Sequence, residues 1–192
     1  DKSQEATALF KQLLRDYPFG FYAAWYRNQH QLATGWEPLP PNLAKPALPP
    51  ENERILALVS CGLMEDARAE LAILKDTAFT IDRAPGHALL QQLSGDLHGS
   101  IVTFHQNRPE QWDRKTLPFW ALGYPRPYAG LFSQHAALNR LPESLVLALA
   151  KAESSFRAEV KSHAGAIGLM QLMPATAQMT AGYKSKTPYN PL

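Results

Sequence analysis

Apolar residues recur at helical spacing along almost the whole chain, and runs that alternate like strands are short and rare. The pattern predicts an all-α protein. Near the start, Ala6, Leu9, Phe10, Leu13 and Leu14 form one stripe, and an aromatic-rich segment from Phe19 to Leu32 follows Tyr17 and Pro18. These two segments are expected to pack as a helix pair. Between Gly35 and Pro50 the prolines Pro38, Pro40, Pro41, Pro46, Pro49 and Pro50 remove backbone donors and favour extended conformations, which reads as a linker or a surface excursion. Beyond it Ile55, Leu56 and Val59, then Met64, Ala67, Leu71 and Leu74, flank Gly62, a residue suited to a left-handed helix stop. That is an antiparallel hairpin. Further helical stretches from Pro85 to Leu93 and from Leu97 to His105 continue the alternation, suggesting a superhelical stack of hairpins with no strict repeat period. Prolines and aromatics between Pro109 and Pro127 mark a second boundary, and Pro127 and Pro142 sit where a first helical turn accepts proline. The expected division is therefore a helical part at 1–113, with its proline-rich excursion at 35–50, and a C-terminal unit at 114–192.

Composition narrows the class. The chain has 192 residues, of which 45% are hydrophobic and 19% charged, enough to build a core and too apolar for a disordered chain. No apolar run approaches the roughly 18 residues of a membrane span. Cys61 is the single cysteine, so no internal disulfide can form, and no Cys/His pair has zinc-site spacing. Neither a metal nor another cofactor is expected. The chain opens at Asp1 without an apolar leader, which reads as a mature or trimmed product. The formal charge of +2 conceals an asymmetry: 114–192 carries +6 and the preceding residues −4. A basic C-terminal part suits an anionic polymer or simply favours solubility. Its basic residues lack the interleaved aromatics of a stacking platform, so nucleic-acid binding is not expected.

The helix that begins near Pro142 carries Leu145, Val146, Leu149 and Ala150 on one face, and Glu153 follows in register with them. A carboxylate set among aliphatic side chains loses hydration, which raises its pKa toward about 6, the range of a general acid. Alternatively, Glu153 is a helix-end carboxylate that reaches solvent or pairs with Lys151 or Arg157. The next segment runs through Ser162, Gly165, Ala166 and Gly168 to Gln171 and Met173. Its small residues permit close backbone approach, Gln171 offers donor and acceptor, and Met173 gives an adaptable apolar surface. That mixture suits a sugar, or else a tight packing loop. His163 reads as an ordinary loop residue.

The run Ala152-Glu153-Ser154-Ser155-Phe156, then Val160-Lys161-Ser162 and the stretch from Gly165 to Ala177, resembles the first two motifs of the soluble lytic transglycosylases. The resemblance extends upstream to Tyr124-Pro125-Arg126-Pro127-Tyr128 and, more weakly, to the segment from Tyr17 to Ala23. It implies an incomplete lysozyme-like catalytic domain that cleaves peptidoglycan, following a helical superstructure. It makes Glu153 the catalytic acid and base and counts Ser154, next to the acid, with Ser162, Gln171 and Met173 among the residues that contact the sugar. It implies a 1,6-anhydro product, and Ser162 is a candidate for orienting the substrate's acetamido group. Two-carboxylate glycosidases need a second acid, and after residue 114 only Glu143 and Glu159 accompany Glu153. A lysozyme-type hydrolase on the same fold and a catalytically incomplete helical scaffold or glycan-binding module are the alternatives. Members of the family continue with further helices past the position of Leu192, so the domain is expected to be incomplete here and Thr187 to Leu192 to lack packing partners. The implied partners are glycan strands, with cell-wall proteins as partners of the helical part, and the implied location is the periplasm or cell envelope.

Overall fold

The computed structural model describes residues 2–17, 20–33, 43, 45–48, 52–78, 81–110 and 115–181. Ten α-helices form among them: α1 (Lys2–Asp16), α2 (Phe21–Gln29), α3 (Glu53–Ser60), α4 (Met64–Ala78), α5 (Ala84–Leu93), α6 (Leu97–Gln106), α7 (Leu117–Gly123), α8 (Ala129–Leu138), α9 (Glu143–Ser154) and α10 (Pro174–Ala181). The described residues contain no strand beyond two isolated antiparallel bridges, so the all-α expectation holds. Most of the proline-rich excursion and the expected loose end at 187–192 lie outside the described residues.

Two compact units divide the chain, Asp1–Pro40 and Pro41–Leu192, and the break falls inside the proline-rich stretch. In the first unit α1 packs on α2, as the stripes predict, with Phe10 stacked on Tyr26 at 4.1 Å between ring centroids and Ala23 buried. In the second, α3 and α4 form the expected hairpin. Gly62 adopts φ +76°, its N–H donates to the Val59 carbonyl, and the Leu63 N–H reaches back to the Leu58 carbonyl at 2.9 Å. This is the left-handed stop that only glycine adopts without strain, closing orphan carbonyls at the end of α3. Ile55, Ala67, Leu71 and Leu90 make the core of this hairpin, and Leu48 from the proline-rich stretch packs against it.

Helices α5, α6 and α7 pack on one another. Asp96 caps α6 by accepting from the Gly99 N–H at 2.8 Å, a favourable N-terminal residue for a helix of mixed polarity. The region from Pro109 to Pro127 reads as a boundary in sequence, yet it contains α7, whose Phe119, Trp120 and Leu122 are buried. Pro118 sits in the first turn of α7, where its missing N–H costs nothing, so proline starts the helix here instead of interrupting it. Phe104 of α6 meets Phe119 and Trp120 edge-on at 5.2 and 5.1 Å. A third cluster joins Ile101 of α6, Phe132 of α8, Ala150 of α9 and Phe156, and it carries the site described next.

Candidate active site

The last turn of α9 holds the candidate acid. Ala150 and Ser154 face the core, and consecutive helical residues turn about 100°, so Glu153 projects from the flank of the helix and is exposed. The sheltered aliphatic seat expected from the stripe does not form: Leu145 is 57% and Leu149 46% exposed. The stripe is real, but tertiary packing uses its Val146–Ala150 edge and leaves the Leu145–Leu149 edge with Glu153 in the open.

Ser154 takes a different part from the sugar contact implied by resemblance. It is 2% exposed, and its hydroxyl lies 2.9 Å from the Leu169 carbonyl and 3.1 Å from that of Ala150. The one proton of this buried hydroxyl is committed to these carbonyls. It pins the loop at Leu169 to the end of α9. Ser155 and Phe156 then adopt left-handed φ values of 50° and 63°, which end the helix and fold Phe156 back against Phe132 at 6.3 Å. Such conformations cost non-glycine residues of order 1 kcal/mol or more and persist where packing over-determines them. Nothing in the sequence signals this strained pair.

The loop from Val160 to Met173 is braced from within. Gly168, at φ +79°, donates to the Val160 carbonyl at 2.9 Å, and Ile167 bridges Leu172 in both directions. Gln171 spends its amide nitrogen on the Val160 and Gly168 carbonyls, at 3.2 and 3.0 Å, so the side-chain oxygen is the group it retains for a ligand. Ser162 accepts from the Ala166 N–H at 3.0 Å, which leaves its own hydroxyl proton to donate. Met173 is 44% exposed, and its terminal methyl lies 3.9 Å from the Cβ position at Gly165. His163 is an exposed loop residue, as expected. Because Ser154 anchors this loop to α9, the acid and the loop belong to one rigid corner.

Glu143 is ten residues before Glu153 on the same helix, about 15 Å along its axis, and binds Arg126 at 2.7 Å. Carboxyl groups of two-acid glycosidases are about 5–9.5 Å apart, so Glu143 cannot be the partner. Among the described residues no group of three His, Cys, Asp or Glu side chains could hold a metal ion. A basic corner that no local sequence pattern marks lies on the far side of α9, where Lys151 Nζ lies 3.0 Å from His105 Nε2 and 4.4 Å from the centre of the Tyr124 ring. Burial lowers the Lys151 pKa, and burial followed by Lys151 and Arg108 lowers that of His105.

The fold is that of part of the lytic transglycosylases of known structure. The Escherichia coli 70 kDa soluble lytic transglycosylase matches 99% of this chain with a TM-score of 0.65 at 24% identity, over 30% of its own chain. Its complex with bulgecin A gives the same score over 97% of this chain and 29% of the other. An inactive mutant of the lytic transglycosylase Slt from Pseudomonas aeruginosa matches 95% of this chain at 0.64 and 21% identity, over 30% of its own. In sequence, residues 130–192 match the Transglycosylase SLT domain. A 57-residue stretch is 42% identical to the soluble lytic murein transglycosylase of Escherichia coli K12 and 40% identical to that of Salmonella typhimurium, spanning 30% of this chain and 9% of those relatives. That segment is similar to the Transglycosylase SLT domain and to the soluble lytic murein transglycosylases, of whose length the matched stretch spans about a tenth.

Proposed function

We propose that this chain contributes the catalytic acid of a peptidoglycan lytic transglycosylase, with 114–192 as part of the catalytic module and 1–113 as the helical part. The bond cleaved is the β-1,4 link between N-acetylmuramic acid and N-acetylglucosamine, and the protein acts in the periplasm or cell envelope. The observation that carries the reading is Glu153, exposed at the end of α9 and fixed through Ser154 to a loop that presents Ser162, Gln171 and Met173. It is supported by the family match, which contains all five residues.

In this reading Glu143 is out of reach and one carboxyl group, that of Glu153, does both proton transfers. Glu153 gives its proton to the glycosidic oxygen as the bond to the anomeric carbon breaks, assisted by the acetamido group, whose orientation falls to the Ser162 hydroxyl. The muramyl C6 hydroxyl then attacks the anomeric carbon and returns its proton to Glu153, closing a 1,6-anhydro ring. Proton transfer of this kind contributes roughly 10²–10⁴-fold, and an internal hydroxyl needs no recruited water. Among the described residues nothing covers Glu153, so in this reading the bound strand itself excludes water from the carboxyl.

The test uses the complete protein on purified peptidoglycan. The parent releases muropeptides one water lighter per cut, with no ends reducible by borohydride. Glu153→Gln loses cleavage by at least about 100-fold and keeps strand binding. Undiminished cleavage by that variant refutes the site, and reducible ends refute the internal-hydroxyl step in favour of hydrolysis.

A further inference from the structure

A groove of about 610 Å³ opens on the other flank of α9, lined by Ile101, Val102, His105, Tyr124, Ala148 and Lys151 among others. Lys151 precedes Glu153 by two residues and points about 200° round the helix from it. An ammonium group only donates, so the 3.0 Å contact makes His105 Nε2 the acceptor, with the imidazole neutral and its proton on Nδ1. One of the three N–H bonds of Lys151 is thereby used, and the charge rests against the Tyr124 ring. The other two N–H bonds meet no acceptor among the described residues.

Charge accounting around this ammonium is one-sided. Arg108 acts on both His105 and Tyr124, adding to the positive field. No acid among the described residues lines the groove. Glu143, in the adjoining groove of about 550 Å³ that shares Tyr124 and Lys151, is taken by Arg126. A half-buried cation without a carboxylate is costly to maintain unless something else meets it. Of the remaining walls, Ile101, Val102 and Ala148 are aliphatic, while Gln106 adds a side-chain amide and Ser155 a hydroxyl. A carboxylate is matched by one ammonium and tolerates apolar surface beside it. The volume lies within the range of small-ligand pockets, roughly 300–1,000 Å³.

We propose that this groove binds the terminal carboxylate of a peptide ending in small apolar residues, with the carboxylate on Lys151 Nζ and the methyl groups against Ile101, Val102 and Ala148. The source of that peptide is the stem carried by the glycan strand; this clause alone rests on the function proposed above. The groove then reads the peptide while the opposite flank of α9 handles the sugar.

The experiment titrates the protein with acetyl-D-alanyl-D-alanine, its L,L isomer and its terminal amide, followed by calorimetry and by amide shifts of α6 and α9. The D,D acid is expected to bind at least about tenfold more tightly than the amide, the scale of one charge-assisted hydrogen bond. Lys151→Met should lose that preference and Lys151→Arg should keep it, the second variant guarding against a folding defect in the first. Equal binding of acid and amide, or a preference that survives in Lys151→Met, overturns the carboxylate site. Preference for the L,L isomer overturns the stem as its source. Glu153→Gln should leave peptide binding unchanged, so loss of the proposed reaction and loss of this site are separate results.

Discussion

Removing one hydroxyl, in Ser154→Ala, tests whether acid and loop form one corner. The Ser154 side chain has a single proton to share between the carbonyls of Leu169 and Ala150, at 2.9 and 3.1 Å, and it is 2% exposed. Alanine fills nearly the same space but orphans the Leu169 carbonyl, a loss of about 1–3 kcal/mol for a fully buried acceptor. Leu169 is only half-buried, so water can reach part of that carbonyl, and the expected cost falls to about 1–2 kcal/mol. At a urea dependence of about 2 kcal/mol per molar, the unfolding midpoint drops by about 0.5–1 M. Amide exchange gives the local reading: the Gly168 N–H, held by Val160 at 2.9 Å, should exchange about 5–30-fold faster. A midpoint within about 0.2 M of the parent, together with unchanged exchange at Gly168, would falsify the view that this hydroxyl ties the loop to α9.

Gly123→Ala should destabilise the protein by about 1–3 kcal/mol or more, because the added carbon lands 2.1 Å from Cδ1 of the fully buried Phe104; an unaltered thermal midpoint and near-ultraviolet spectrum count against that packing. Acid should weaken the fold through His98 and His105, whose pKa values are lowered, first by burial and then by Arg157 and Lys151 respectively. Both are favoured neutral in the folded state, so their contribution is present above the unfolded value of about 6.5 and is lost as the pH falls through the lower folded values. His98 Nδ1 is buried with no hydrogen-bond partner among the described residues, which adds to the expectation. Urea midpoints at pH 8 and pH 5 should differ less in the His98→Gln, His105→Gln double variant, and an equal difference in parent and variant rules these two groups out.

What the sequence determined by itself is the local part. Period fixed the helices, because a stripe at three- and four-residue spacing has to be buried somewhere; Gly62 fixed the stop of α3, because few other residues take its φ; and the spelled-out run around Glu153 carried the resemblance to the lytic transglycosylases. Register within the stripe was a different matter. Leu145, Val146, Leu149 and Ala150 all share one broad face, and only the approach of Ile101, Phe132 and Phe156 decided which edge was covered. That choice put Glu153 outside the apolar seat and Ser154 inside it, reversing which of the two adjacent side chains meets solvent. Helix α7 is not legible in the sequence, because proline reads as a break until its position in the first turn is known. The corner of Lys151, His105 and Tyr124 comes from α6, α9 and the end of α7, so no local pattern could announce it. Spacing along a chain sets which faces exist, and only packing between distant elements sets which face is dry.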